Sequence, residues 1–184
     1  MIGVLLAGGR GRRLGGRSKA AVEVAGRPLA AYPAAALAAV CDRVAFVAKP
    51  ESELPFLPGV ERWDEPPEPR HPVAGIVHAL EQAGGAVLVV GADMPYVTSN
   101  ACASVIAGGG SAAAAVAVAG GNLQPLLAVY APAALEPLRA APPGGRLTDM
   151  VEALAPGRVA VPPAIVRSVN TPDDLAEAEA ELSA

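Results

Sequence analysis

The chain has 184 residues, is 52% hydrophobic and 17% charged, and carries a formal net charge of −4, which is typical of one domain with a buried core. The weak negative charge and the 3% aromatic content argue against nucleic-acid and membrane partners. Two cysteines make no disulfide framework, and the start MIGVLLAGGR lacks the basic region of a secretory signal. We therefore expect a cytoplasmic protein with a single domain over residues 1–184.

Strands and helices are predicted to alternate along the chain. We expect strands at 2–6, 44–47, 60–62, 86–90, 113–119 and 126–130, and helices at 28–40, 73–83, 99–106, 146–154 and from 172 onwards. Because the run at 86–90 is continuously apolar, it is typical of a parallel strand buried on both faces. The pattern predicts a three-layer α/β/α domain with a mostly parallel sheet.

A long uncharged segment, between Asp93 and Glu136, raises the question of a membrane span. A spanning helix needs about 20 continuous apolar residues. Prolines, polar residues and glycine pairs such as Gly120-Gly121 divide this segment into shorter pieces. The pieces suit buried strands and one helix of small residues, so we expect no membrane association.

The loop LAGGRGRRLGGRSK, residues 6–19, is the most informative motif of the sequence. It follows the first predicted strand and contains five glycines and five cations. Glycines let backbone N–H groups approach phosphate oxygens, and cations neutralise phosphate charge. Its spacing does not match G-x-x-x-x-G-K-[ST], and Leu14 occupies the place of the third glycine of G-x-G-x-x-G. The loop predicts a phosphate site, with an arginine-rich surface loop as the alternative.

Three further polar residues are candidates for the same site. Asp93 follows the buried strand, where a carboxylate can hold Mg²⁺ or cap a turn. Asn170 precedes the helix start Thr-Pro-Asp-Asp and is a second candidate metal ligand or a group that holds water. Asp64 alone suggests a solvated loop charge. His71 and His78 are not spaced as metal ligands, and no motif supplies a protein nucleophile.

Five segments, in chain order, resemble the MobA-type nucleotidyltransferases. They are LAGGRGRRLGGRSKA, WDEPPEPRHPVAGI, GADMP, LQPLLAVY and SVNTPDDL. The likeness is greatest to the molybdenum cofactor guanylyltransferases within that family. It covers nearly the whole chain and implies the Rossmann-like nucleotide-diphosphate transferase fold.

The resemblance implies a reaction and a role for each matching residue. The terminal phosphate of molybdopterin attacks the α-phosphate of GTP, and Mg²⁺-dependent transfer of GMP releases pyrophosphate. Cofactor-delivering and molybdoenzyme-maturation proteins are the implied protein partners. The implied contacts are Leu6, Ala7, Gly8 and Gly9 to guanine and ribose, Arg13 and Lys19 to the triphosphate, Asp64 to GTP, Asp93 to GTP and Mg²⁺, and Asn170 near the metal.

The sequence departs from the family pattern at three positions. His71 replaces the glycine of Gly-Pro-Leu-Ala-Gly, and Ser168 replaces an asparagine or aspartate. After the second strand, where many members carry an asparagine that contacts base or ribose, this chain reads Val47-Ala48-Lys49. Alternatives are transfer from CTP, transfer to a sugar phosphate or phospholactate, a GTP-binding protein without catalysis, and an interaction module. The cytidylyl relatives usually read Ala-Ala-Gly where this chain has Ala-Gly-Gly at 7–9, which favours GTP.

Overall fold

The computed structural model describes residues 1–7, 18–142 and 144–183. Its strands, in chain order, are β1 (Ile2–Leu6), β2 (Glu23–Val24), β3 (Arg27–Pro28), β4 (Arg43–Ala48), β5 (Val60–Asp64), β6 (Val87–Gly91), β7 (Ala114–Ala119), β8 (Asn122–Tyr130) and β9 (Gly157–Ala160). The helices are α1 (Ala31–Ala38), α2 (Pro72–Ala83), α3 (Ser99–Ala107), α4 (Leu135–Arg139), α5 (Leu147–Glu152) and α6 (Pro172–Leu182).

The central sheet has seven strands in the order β5-β4-β1-β6-β8-β7-β9. Strands β5, β4, β1 and β6 are mutually parallel, as is the pair β7–β9, whereas β8 runs antiparallel to both β6 and β7. This confirms the predicted α/β fold with a mostly parallel sheet. The carboxyl ends of β5, β4, β1 and β6 therefore meet at one edge, where open α/β sheets bind ligands.

Helices cover both faces of the sheet because its central strands are apolar on both sides. In β1, Leu5 belongs to a buried cluster with residues of α1 and α3, while Val4 and Leu6 belong to a second cluster with α2, α4 and α5. Leu5 and Val4 are fully buried. The central strands thus contribute side chains to one hydrophobic cluster on each face of the sheet. Helices pack on both clusters, which gives the three layers.

The first predicted helix begins later than the sequence suggested. Residues 28–40 were expected to be helical, but Pro28 pairs with Glu23 in the small β2–β3 hairpin, and α1 begins at Ala31. Ala25 and Gly26, with φ of 49° and 71°, form the turn of this hairpin. The prediction took Pro28 as a first-turn helix residue, although proline is equally compatible with such a strand end.

Other elements lie close to their predicted bounds, with additions in the second half. Strand β8 begins at Asn122 because Gly120 and Gly121, with φ of 54° and 80°, form a tight connection from β7. Strand β9 and helix α4 were not predicted. Helix α6 begins with the expected Thr171 cap, completed by Asp174 into a capping box. Within the described residues, no helix has the length and apolarity needed to span a bilayer.

Candidate functional site

A cavity of about 210 Å³ opens at the carboxyl ends of the parallel strands. It is lined by Leu6, Ala7, Lys19, Ala20, Lys49, Glu65, Arg70, His71, Pro72, Ala92, Asp93 and Leu126. Leu6 pairs with Val47 on one side and with Gly91 on the other. Residues just beyond these strand ends are therefore brought together although they are distant in sequence.

Lys19 and Asp93 line the end of the cavity beside β6, and Lys19 also contacts Asn170 next to it. The Lys19 ammonium lies 3.1 Å from Asp93 Oδ2 and also donates a hydrogen bond to Asn170 Oδ1. The side chains of Lys19 and Asp93 are 19% and 23% exposed, so the pair is partly shielded from solvent. A cation and two oxygen acceptors thus share one corner of the cavity.

Asn170 is held in a fixed orientation by its neighbours. Its side-chain Nδ2 donates to Ser168 Oγ at 2.7 Å, which leaves Oδ1 facing Lys19. Its backbone N–H donates to Asp174 Oδ2 at 2.8 Å. This bond and those to Thr171 lower the pKa of Asp174. In addition, the Val169 N–H donates to the Asp93 carbonyl at 2.9 Å. This bond joins the loop that follows β6 directly to the loop that precedes α6.

A second set of contacts fastens these loops to helix α6. The Arg167 guanidinium lies 4.0 Å from the ring centroid of Tyr96 and pairs with Glu177, at 3.2 Å, and with Glu181. Burial and a hydrogen bond to Glu181 raise the pKa of Tyr96 to about 12. Tyr96 therefore stays neutral over the physiological range, as a platform for Arg167.

The end of the cavity beside β4 and β5 holds a buried ion pair. Lys49 Nζ lies 3.5 Å from Glu65 Oε1, and the two side chains are only 5% and 4% exposed. Lys49 also donates to the carbonyls of Pro66 and Pro69. Burial raises the pKa of Glu65, and the adjacent ammonium opposes this shift. Among the residues that the structure describes, Glu65 Oε2 has no hydrogen-bond partner.

His71 begins helix α2 and closes one wall of the cavity. Its Nδ1 accepts from the Val73 N–H at 3.2 Å, which leaves the Nε2–H to donate to the Gly145 carbonyl at 3.0 Å. Its φ is −138°, an extended conformation that requires no glycine. The histidine therefore replaces the family's glycine without strain and adds a helix cap.

Helix α2 approaches the cavity closely at Gly75. A Cβ there would lie 2.3 Å from Leu6 Cδ1 and 3.3 Å from Glu65 Oε2. Contacts this short would force Leu6 to move. The absence of a side chain at Gly75 thus lets α2 pack directly over Leu6 and the Glu65 carboxylate.

The predicted site residues fall into three groups. Leu6, Ala7, Lys19 and Asp93 line the cavity, and Asn170 contacts Lys19. Asp64 is placed elsewhere: it is exposed, pairs with Arg62 at 2.7 Å, and is not among the described residues that line the cavity. Gly8, Gly9 and Arg13 lie outside the described residues.

Sequence reasoning missed Lys49, Glu65 and Arg70 as cavity residues. A signal existed for the first two. Each lies two positions after a residue that packs on the α2 side of the sheet, Val47 for Lys49 and Trp63 for Glu65. Because side chains alternate along a strand, this spacing of two indicates the same side of the sheet for Lys49 and Glu65.

Asp93 and Asn170 fit a hard divalent cation. Both offer oxygen atoms to the same ammonium, and carboxylate and amide oxygens are ligands for Mg²⁺. Within the described ranges, no three His, Cys, Asp or Glu side chains form a metal cluster. Two protein oxygens are nevertheless typical of Mg²⁺ sites that are completed by substrate phosphates and water.

Comparisons with known proteins agree with this fold. The MobA-like NTP transferase domain matches residues 3–159. Molybdenum cofactor guanylyltransferase of Cereibacter sphaeroides is 32% identical, with 99% of this chain and 97% of that protein covered. Molybdopterin-guanine dinucleotide biosynthesis protein A from Archaeoglobus fulgidus has a TM-score of 0.75 and 25% identity, with 100% and 99% covered.

A more distant neighbour shows how widely the fold is shared. The 2-C-methyl-D-erythritol 4-phosphate cytidylyltransferase from Thermus thermophilus has a TM-score of 0.72 at 22% identity, and 98% of each chain is covered. At this identity the likeness concerns the fold alone. The domain match and the full-length relative go further: the chain belongs to the MobA-like NTP transferase family and is a nucleotidyltransferase.

Proposed function

We propose that the chain catalyses Mg²⁺-dependent transfer of GMP from GTP to the terminal phosphate of molybdopterin. The products are the guanine dinucleotide form of the cofactor and pyrophosphate. The observation that carries this proposal is the cluster of Lys19, Asp93 and Asn170 at the carboxyl ends of the parallel strands. The name of the 32% identical relative supports the choice of GTP and of the acceptor.

The protein acts mainly by positioning and by neutralising charge, since the substrate phosphate is itself the nucleophile. Lys19 offsets negative charge on the transferred phosphate, and Arg13 contributes a second cation to the triphosphate. Asp93 and Asn170 would hold Mg²⁺ against the phosphates. When bound, this ion supplies charge neutralisation at the phosphoryl oxygens. Fixed placement of both substrates lowers the entropic cost of an in-line attack.

The remaining predicted contacts belong to the nucleoside. Leu6, Ala7, Gly8 and Gly9 contact guanine and ribose through the backbone. Leu6 and Ala7 line the cavity between its two charged ends, which supports this placement. Asp64 stays a predicted GTP contact, although its exposed position and its pairing with Arg62 favour a different carboxylate of the same segment.

We also propose that residues 1–184 act as one cytoplasmic nucleotidyltransferase domain without nucleic-acid or membrane partners. Its small-molecule partners are GTP and molybdopterin. Proteins that deliver the cofactor or mature molybdoenzymes would supply the acceptor and receive the product.

The test is a transfer assay with purified protein, molybdopterin, Mg²⁺ and either GTP or CTP. We expect pyrophosphate release and dinucleotide formation with GTP. Asp93→Ala should lose this activity and keep its circular dichroism spectrum. Asp42→Ala is the control, because Asp42 is exposed just before β4, at the opposite edge of the sheet from the cavity.

Two results would contradict the proposal. Product formation with CTP and not GTP would show a different nucleotide specificity. Wild-type activity in Asp93→Ala would show that this carboxylate does not hold the metal.

A further inference from the structure

The two ends of the cavity differ in chemistry, which gives a bound nucleotide a direction. The end at β6 carries Lys19 beside the proposed metal ligands and therefore suits a triphosphate. The end at β4 and β5 carries Glu65 with its paired Lys49, and Arg70, which pairs with Glu51 and Glu68, so its cations are already matched by carboxylates of the protein. The ends of β6 and β4 are separated by two strand spacings, about 10 Å, which is the scale of a nucleoside monophosphate. The nucleobase therefore belongs at the Glu65 end.

The Glu65 carboxylate has unused capacity to accept hydrogen bonds. An ionised carboxylate offers about four lone-pair sites. Here Oε1 makes one long contact, 3.5 Å, with Lys49, and Oε2 has no partner among the described residues. Rotation about the terminal carboxylate torsion, which is broad, can turn either oxygen toward the cavity that Glu65 lines.

Each of the three ammonium N–H groups of Lys49, in contrast, has a partner within the protein. Its ammonium donates to the carbonyls of Pro66 and Pro69 and faces Glu65 with its remaining N–H. It therefore opposes the rise in the pKa of Glu65 that burial causes, and it fixes the segment that leads into helix α2. Among the described residues at this end, the Lys49 ammonium and the Arg70 guanidinium are both paired within the protein, and Glu65 Oε2 is left to accept hydrogen bonds from a ligand.

We propose that Glu65 is a specificity-determining residue that accepts hydrogen bonds from N1–H and the 2-amino group of guanine. The inference rests on the proposed function and adds to it the residue that selects the base. Guanine carries these two donors side by side, which matches the two oxygens of one carboxylate. Adenine and cytosine present a single amino donor beside an acceptor, and uracil presents one N–H between two acceptors. Only guanine satisfies both oxygens.

The experiment measures binding of GTP, ITP and XTP in the presence of Mg²⁺ by calorimetry. ITP lacks the 2-amino group, and XTP carries a carbonyl oxygen in its place. A hydrogen bond to a charged group is worth about a factor of ten or more in affinity, so wild type should bind GTP about tenfold more tightly than ITP.

Glu65→Gln replaces one acceptor oxygen with an N–H donor, which matches xanthine instead of guanine. We expect its preference for GTP over ITP to fall to within about threefold, and its XTP affinity to rise about tenfold above wild type. A loss of packing cannot produce tighter binding of a different base. Glu65→Asp is a second variant, which keeps the charge facing Lys49 but withdraws it by one methylene. It should lose the preference for GTP without gaining XTP.

Two carboxylates on β5, the strand that Glu65 follows, make the test specific. Glu61→Gln, on the exposed pair with Arg43, should keep the wild-type preference. Asp64→Asn tests the residue that the family resemblance indicates. The proposal is overturned if Asp64→Asn loses the preference for GTP over ITP while both Glu65 variants keep it.

The test also separates this inference from the proposed function. Wild type that transfers GMP but binds GTP and ITP equally would overturn the role of Glu65 alone. Wild type that binds none of the three nucleotides would overturn the proposed function as well.

Discussion

Removing the positive charge of Lys49 should strongly destabilise the fold. In Lys49→Met, the Glu65 carboxylate, 4% exposed in the wild type, would lose the ammonium that faces it. Breaking a buried ion pair by removing one partner costs about 3–5 kcal/mol in the free energy of unfolding. For a chain of this length, such a loss lowers the melting temperature by about 6–20 °C. Urea unfolding and calorimetry measure both quantities.

The double variant Lys49→Met, Glu65→Leu compares the loss of both charges with the loss of Lys49 alone. Replacing both charges with apolar side chains of similar volume is often neutral or stabilising, so most of the lost stability should return. The matched control is Arg43→Met, because Arg43 and Glu61 connect the same two strands but are 56% and 40% exposed. Arg43→Met should lower the free energy of unfolding by at most about 1 kcal/mol, since exposed ion pairs contribute little to stability.

The pH dependence of Lys49→Met has a defined sign. Burial raises the pKa of Glu65 above its ordinary value of 4.5, and loss of Lys49 raises it further. A carboxyl group whose pKa is raised in the folded state binds more protons there than in the unfolded state. The loss of stability that it causes therefore becomes smaller as the pH falls through the folded-state pKa. The stability gap between wild type and variant should therefore narrow from about pH 8 to about pH 5. A gap of under about 1 kcal/mol at pH 8, or one that widens in acid, would refute this reasoning.

Three further variants test the other end of the cavity and the start of helix α6. Lys19→Ala should lower kcat more than it weakens GTP binding, because the ammonium acts mainly on charge in the transition state; equal losses would make it a binding residue only. Ser168→Ala removes the hydroxyl that accepts from the Asn170 amide at 2.7 Å and leaves the Ser168 carbonyl at 3.3 Å, so we expect weaker binding of Mn²⁺, measured with GTP by paramagnetic relaxation, and an unchanged melting temperature. Thr171→Ala should cost about 1 kcal/mol in unfolding free energy, since it removes the cap of α6; no change would contradict the importance of that cap.

The sequence predicted the central strands well because their signal is local. The run at 86–90 is apolar without interruption, and β6 occupies Val87–Gly91. The cap of α6 was likewise readable from Thr171 and Pro172. The start of α1 was not, since Pro28 satisfies both a helix start and a strand end, and only the turn at Ala25 and Gly26 decides between them. Strand β9 pairs with β7, which is far away in sequence, so no local pattern indicated it.

The difference between local sequence patterns and contacts between distant parts of the chain also explains which cavity residues were predicted. Lys19 and Asp93 stand in motifs, so both were identified and both line the cavity. Asn170 was also found by motif, but its contact with Lys19 spans 151 positions and could be established only by the fold. Ser168, noted only as a departure from the family, acquires a role once its hydroxyl is placed against the Asn170 amide.

Asp64 and Glu65 show why adjacent carboxylates cannot be assigned from a motif alone. Successive side chains of a strand point to opposite faces, so a shift of one residue reverses exposure. Trp63 packs on the α2 side of the sheet, which directs Glu65 to the same side and Asp64 away from it. The buried, lysine-paired Glu65 is therefore the carboxylate of this segment that lines the cavity, and Lys49 compensates the charge of a carboxylate in that buried position.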